Sequence, residues 1–203
     1  MDEWTAANKL MLAGTVAAAP VFSHAVRGVS FYKFILSVER ASGAKDVLPV
    51  LIRFDRLQRP LDAGAFAAVT GQLRSHAFTS ADGVERLLIN AVACGLTCPD
   101  SLVNLNEVKL CGVLTRPPVY RTTPRLREIT DLLIAVPRGF QKEDLIPLIA
   151  WGRNARRARE LIVGDRIEVC GRLQSRTYVK LLPDGMPKER VTYELSLSSF
   201  DLL

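Results

Sequence analysis

The segment VTGQLRSHAF at residues 69–78 returns a hundred residues later as VCGRLQSRTY at residues 169–178. Both read V-x-G-x-L-x-S-x-x-aromatic. Alternation along a strand sets Val, Gly and Leu on one face and the polar residues on the other. The repetition extends well beyond this motif. NKLMLAGTV at residues 8–16 matches NEVKLCGVL at residues 106–114, an offset of 98. The same offset carries APVF (19–22) onto PPVY (117–120) and KFILSVER (33–40) onto DLLIAVPR (131–138). Matches at nearly constant spacing identify a tandem duplication, so the 203-residue chain must fold as two copies of one unit of about a hundred residues.

Each unit reads as strand, long connection, strand, loop, strand, short helix or turn, strand, hairpin, strand. Short β-rich runs are bounded by Gly, Pro and Asp, and Asp82-Gly83 and Asp184-Gly185 mark the last hairpin of each unit. GRNARRARELIVG at residues 152–164 has one apolar helical face of Ala155, Ala158, Leu161 and Ile162, and a glycine ends it. Its counterpart in the first unit, DRLQRPLDAG, contains Pro60 and predicts a shorter or broken turn. Five strands with one helix between the third and fourth describe an all-β chain of two tandem five-stranded barrels of the OB type. A β-sandwich is the competing all-β answer, and the single helix at a fixed place favours the barrel. The units divide as residues 1–103 and 104–203, with a seam near Cys98-Pro99-Asp100-Ser101. No long linker separates them, which predicts barrels that pack together.

Apolar residues make up 48% of the chain, a core-forming composition. The charges are unevenly placed: residues 1–103 hold 10 Lys/Arg against 9 Asp/Glu, and residues 104–203 hold 17 against 12. Cys94, Cys98, Cys111 and Cys170 have neither the spacing of a zinc site nor the density of a disulfide framework. No metal or cofactor is expected. The absence of GxxxxGK, HExxH and a nucleophile elbow argues against an enzyme. No apolar run has the length of a membrane span, and MDEWTAANK lacks the order of a signal peptide, so a cytoplasmic, nucleoid-associated protein is expected.

In the second repeat the polar strand face carries Arg172, Gln174, Arg176, Tyr178 and Lys180. Cations and amides ending in an aromatic ring suit a surface that meets phosphates and bases. Tyr120 lies in RPPVYRTTPRLR among Arg116, Arg121 and Arg125; this reads either as a basic loop over the barrel mouth or as a solvated loop whose Tyr plugs the barrel end.

The second unit resembles the DNA-binding domain of bacterial single-stranded DNA-binding proteins. NEVKLCGVL is similar to the family's opening strand, LLIAVPRGF to its second, and IPLIAWGRNARRARELIVGDRIEVCGRLQSRTY to its third strand, helix and fourth strand. The resemblance implies sequence-independent binding of single-stranded DNA in replication, recombination or repair, with Phe140, Trp151 and Tyr178 stacking on bases. The residues themselves set Phe140 in a polar loop, where a core role is awkward. Trp151 shares its face with Pro147 and Ile149 and suits a base platform or ordinary packing equally.

The first unit departs from this pattern. Ser42, Ala18 and Ser23 stand where the second unit has Phe140, Arg116 and Arg121. Strict register places Arg53 at the position of Trp151, whereas a one-residue bulge would bring Phe54 there. Phe78 matches Tyr178, and Arg74 remains on its strand. The first barrel is therefore expected to support assembly and to bind weakly. The family's flexible tail with an acidic tip, which recruits replication and repair proteins, has no counterpart in YELSLSSFDLL. A homodimer with four barrels is expected. The alternative is an OB-fold accessory protein of the primosome type, acting as an adaptor.

Overall fold

The structure, a computed structural model, describes residues 8–57, 60–80, 83–181 and 186–203. The hairpin tips predicted at Asp82 and at Asp184-Gly185 lie outside the described residues. The first unit contains β1 (Asn8–Val26), β2 (Val29–Glu39), β3 (Lys45–Arg53), β4 (Phe66–Thr79) and β5 (Glu85–Thr97). β1 pairs with β2, β2 with β3, β3 in parallel with β5, β5 with β4, and β4 with β1. This ring of pairings is a closed five-stranded barrel.

The second unit repeats it with β6 (Leu105–Leu114), β8 (Glu128–Gly139), β9 (Lys142–Trp151), β10 (Arg166–Leu181) and β11 (Pro187–Leu202). Here β6 pairs with β8, β8 with β9, β9 in parallel with β11, β11 with β10, and β10 with β6. The repeated V-x-G motif explains part of the closure. A Cβ at Gly71 would collide with the Val92 carbonyl, and one at Gly171 with the Ser196 carbonyl, each beside a bulge in the β4–β5 or β10–β11 ladder. Glycine lets the last two strands cross closely there.

The connection between the first two strands differs between the units. In the first, β1 runs on to Val26 and forms a long arm with β2 through the left-handed pair Arg27 and Gly28 (φ 49° and 78°). In the second, Pro117-Pro118 stops the strand, because proline cannot donate to a ladder. A short strand, β7 (Val119–Thr122), then pairs with β8.

The predicted helix is present but shorter than its pattern: α1 (Arg153–Ala158) buries Ala155 and Ala158, while Ile162 lies beyond it and is exposed. Its counterpart is a 3-10 turn at Phe54–Arg56. Among the described residues no helix is long and apolar enough to cross a membrane.

The barrels share a continuous sheet, since β1 pairs antiparallel with β6. Leu10 faces Val108, its own counterpart in the repeat, and Asn8 faces Leu110 as Asn106 faces Leu12. The pairing is thus symmetric about the Leu10–Val108 rung. Asn8 donates from Nδ2 to the Leu73 carbonyl (2.8 Å) and its Oδ1 accepts from the Leu73 N–H (2.9 Å). Asn106 makes the same two bonds to Leu173, at 2.7 and 2.8 Å.

Two buried aspartates cross the seam. The Ser175 N–H donates to Asp46 Oδ1 (3.1 Å), and the Ser75 N–H donates to Asp144 Oδ1 (2.8 Å). Each carboxylate is almost wholly withdrawn from solvent and paired with arginine: Asp46 with Arg40, Asp144 with Arg74 at 2.8 Å. The ion pairs satisfy charges that could not otherwise be buried. The Ser175 and Ser75 N–H bonds fix each β2–β3 type hairpin of one barrel against the fourth strand of the other, and the Arg74–Asp144 pair adds a second cross-seam tie on one side.

Candidate nucleic-acid interface

On the second barrel, Trp151, Arg121 and Arg176 converge. Trp151 ends β9, is half-buried, and donates from Nε1 to Ser196 Oγ (3.2 Å) on β11. Along the same face of β11, Glu194 accepts from Gln174 Nε2 (2.7 Å) and lies 3.8 Å from Arg176. Arg121 is paired with Asp131 at 2.7 Å, and its affinity for its proton is raised first by that hydrogen bond and also by Glu194. Tyr178 continues the face of Arg176 and is 40% exposed, as is Phe78 at the equivalent place in the first barrel. The backbone of Lys180 lies on β10; its side chain is outside the described residues.

Other predicted residues lie elsewhere. Tyr120 turns to the opposite side of β7 from Arg121: its hydroxyl donates to Glu128, and the Arg159 guanidinium sits 5.5 Å above its ring. That hydrogen bond raises the tyrosine's pKa and lowers that of Glu128, which Arg156 also holds in an ion pair. Of the two readings of Tyr120, these contacts fit the plug. Arg116 and Arg125 are exposed on either side of β7. Arg172 is part-buried at the seam beside Arg40 and Asp46, and burial followed by Arg40 lowers its pKa. Arg74 is committed to Asp144. Phe140 is fully exposed at the tip of the β8–β9 hairpin.

The first barrel carries a feature that sequence reasoning passed over. A groove of about 930 Å³ runs between the β1–β2 arm and β4–β5, floored by Phe31, Ile35, Pro49 and Leu51. Five cations line it, Arg27, Lys33, Arg53, Arg74 and Arg138, and among the described lining residues there is no carboxylate. The imidazole of His24 stacks on Phe31 with ring centroids 5.0 Å apart and planes 6° from parallel. β2–β3 pairing sets Arg53 opposite Phe31 as β8–β9 pairing sets Trp151 opposite Ile129, so the strict register holds. Phe54 belongs to the following turn, where its ring lies 5.4 Å from that of Tyr32. The signal for this groove was the alternation of Phe31, Lys33 and Ile35 on β2.

Residues 105–203 match the model of the single-strand binding protein family. The second barrel belongs to that family. Curated relatives include the single-stranded DNA-binding protein of Caldanaerobacter subterraneus subsp. tengcongensis, 35% identical over 81 residues, covering 36% of this chain and 54% of that protein. The single-stranded DNA-binding protein of Deinococcus radiodurans is 25% identical over 200 residues, covering 82% of this chain and 66% of that protein. The chain thus spans about half to two thirds of the length of these relatives. In fold, it is similar to the wild-type single-stranded DNA binding protein from Thermus aquaticus, with a TM-score of 0.77 at 23% identity, covering 97% of this chain and 92% of that one. That likeness extends the fold of the single-strand binding protein family over both barrels.

Proposed function

We propose that this chain binds single-stranded DNA without reading its sequence, using both barrels, and serves replication, recombination or repair in that capacity. The observation that carries the reading is the first-barrel groove, in which five cations and an apolar, aromatic floor occur together without a lining carboxylate. Bases of a single strand present flat apolar faces to such a floor, each stack contributing about 1–3 kcal/mol. Phosphates meet chiefly Arg27 and Lys33, since Asp55 pairs with Arg53 and Asp144 with Arg74, and release counterions. On the second barrel, Trp151 and Tyr178 supply rings, and Arg116, Arg125, Arg121 and Arg176 supply charge; Phe140 stands exposed at the tip of the β8–β9 hairpin. Arg74 and Arg172 hold the seam and shape the groove walls.

This reading gives the first barrel a binding role beyond the support expected from the sequence. The in-chain β1–β6 pairing supports treating one chain as a two-barrel unit, and two such units would give the four barrels of a homodimer. Light scattering showing only monomer would exclude that assembly.

The deciding experiment is an anisotropy titration of labelled oligo-dT at two salt concentrations, with a duplex of equal length as control. Tight binding to the single strand that weakens with salt, and weak binding to duplex, is the expected outcome. Equal binding to duplex would overturn single-strand selectivity, and no binding to either would favour the adaptor.

A further inference from the structure

We propose that the β8–β9 hairpin of the second barrel works on the first barrel, placing the Phe140 ring where it stacks on a base held in the first barrel's groove. The inference rests on the single-strand binding reading above. Arg138, on the outgoing arm of this hairpin, lines the first-barrel groove together with Arg74, Ser75 and His76 of β4. Asp144, on the returning arm, is the residue that fixes the hairpin there. It accepts from Arg74 Nη1 (2.8 Å) and from the Ser75 N–H (2.8 Å), and Arg138 Nη1 lies 3.7 Å away. A wholly buried carboxylate with these partners holds the base of the hairpin at the groove wall.

The tip lies two residues beyond Arg138. Phe140 and Gln141 both adopt left-handed backbone conformations, with φ of 50° and 56°, between the paired residues Gly139 and Lys142. Such two-residue turns favour Gly, Asn or Asp. A phenylalanine there has a costly backbone and a side chain 100% exposed to water. Nothing in the fold of this hairpin accounts for the ring.

The first barrel's own hairpin supplies the control. It is fixed to β10 in the same way, through Asp46 and Ser175, yet its tip reads Ala41-Ser42-Gly43 and carries no ring. The aromatic residue is present only on the hairpin that reaches the carboxylate-free groove. Charge identifies the occupant as a polyanion, and the apolar floor with its His24–Phe31 stack identifies it as one with exposed bases.

The test uses two backgrounds of the full chain, each altered only at exposed side chains. Arg176→Glu with Tyr178→Ala disables the second face and leaves the first groove; Arg27→Glu with Lys33→Glu does the reverse. Phe140→Ala is expected to weaken oligo-dT binding about 5- to 150-fold in the first background, the loss of one stack, and less than twofold in the second. Phe140→Trp should retain affinity in both, and thermal melts confirm that each variant folds. A loss confined to the second background, equal losses in both, or a loss in neither would each overturn the inference while leaving single-strand binding intact. Failure of the unaltered chain to bind oligo-dT would instead remove the underlying reading.

Discussion

Lys33 and Asp131 occupy the same position of the second barrel strand, opposite Leu51 in one barrel and Ile149 in the other. Asn90 and Glu194 are likewise equivalent, facing Arg74 and Gln174 across the last hairpin. The first barrel therefore presents a cation and an amide where the second presents two carboxylates, each matched to an arginine, Arg121 or Arg176. Formal charge favours the second half of the chain, yet its charge on this face is largely internal. What reaches a phosphate is the unmatched charge: in the first groove Asp55 holds Arg53 and Asp144 holds Arg74 with Arg138 nearby, so Arg27 and Lys33 are the groove cations that no described carboxylate pairs. The seam differs from the faces in being symmetric in its backbone bonds: Asn8 and Asn106 repeat theirs, and Asp46 and Asp144 each accept from a serine N–H of the other barrel, although the arginine differs, Arg40 for Asp46 and Arg74 for Asp144.

The largest effects should come from breaking that symmetric part. Asp144→Ala strands Arg74 and the Ser75 N–H and should cost about 3–5 kcal/mol, and Asp46→Ala a similar amount. Denaturant midpoints would read this, and a cost under 1 kcal/mol for either would show that the seam bears little load. Removing the asparagines should cost less, about 1–3 kcal/mol each for the orphaned Leu73 or Leu173 amide and carbonyl. Asn8→Ala should exceed Asn106→Ala, because Asn8 is buried and Asn106 half-buried.

The contrast between faces is sharpened by salt titration. Lys33→Ala should reduce the slope of log affinity against log salt by about 0.7, one phosphate contact. Arg121→Ala should reduce it less, since Asp131 already neutralises that charge. Equal reductions would erase the distinction.

The smallest effect concerns pH. Glu128 is held below the usual carboxylate range by the Tyr120 hydroxyl, with Arg156 adding to the shift. A depressed folded-state pKa means that its stabilisation is present above the unfolded value and lost as pH falls through the folded one. The Tyr120 plug should stay closed from pH 7 through the ordinary glutamate range and loosen only below it. The Tyr120 ring resonances in a pH series would show this, and loosening near the ordinary glutamate pKa would contradict it.

Much of this was legible in the chain. The V-x-G-x-L repeat and the 98-residue offset determined two barrels, because strand alternation and glycine at a close crossing are local requirements. The exposure of Phe140 and the half-exposure of Tyr178 followed from polar neighbours on the same strand or turn. Partnership did not. Arg74, Arg172 and Arg121 look alike in sequence, but their roles depend on which carboxylate meets them: Asp144 and Asp46 of the other barrel for Arg74 and Arg172, Asp131 of the neighbouring strand for Arg121. Asp46 and Asp144 repeat at the same offset and could have been noticed, yet what they bind lies on the other barrel. Short-range pattern fixes which face of a strand a side chain occupies; only the closure of each barrel and the packing of one against the other decide which charges are cancelled and which remain for a ligand.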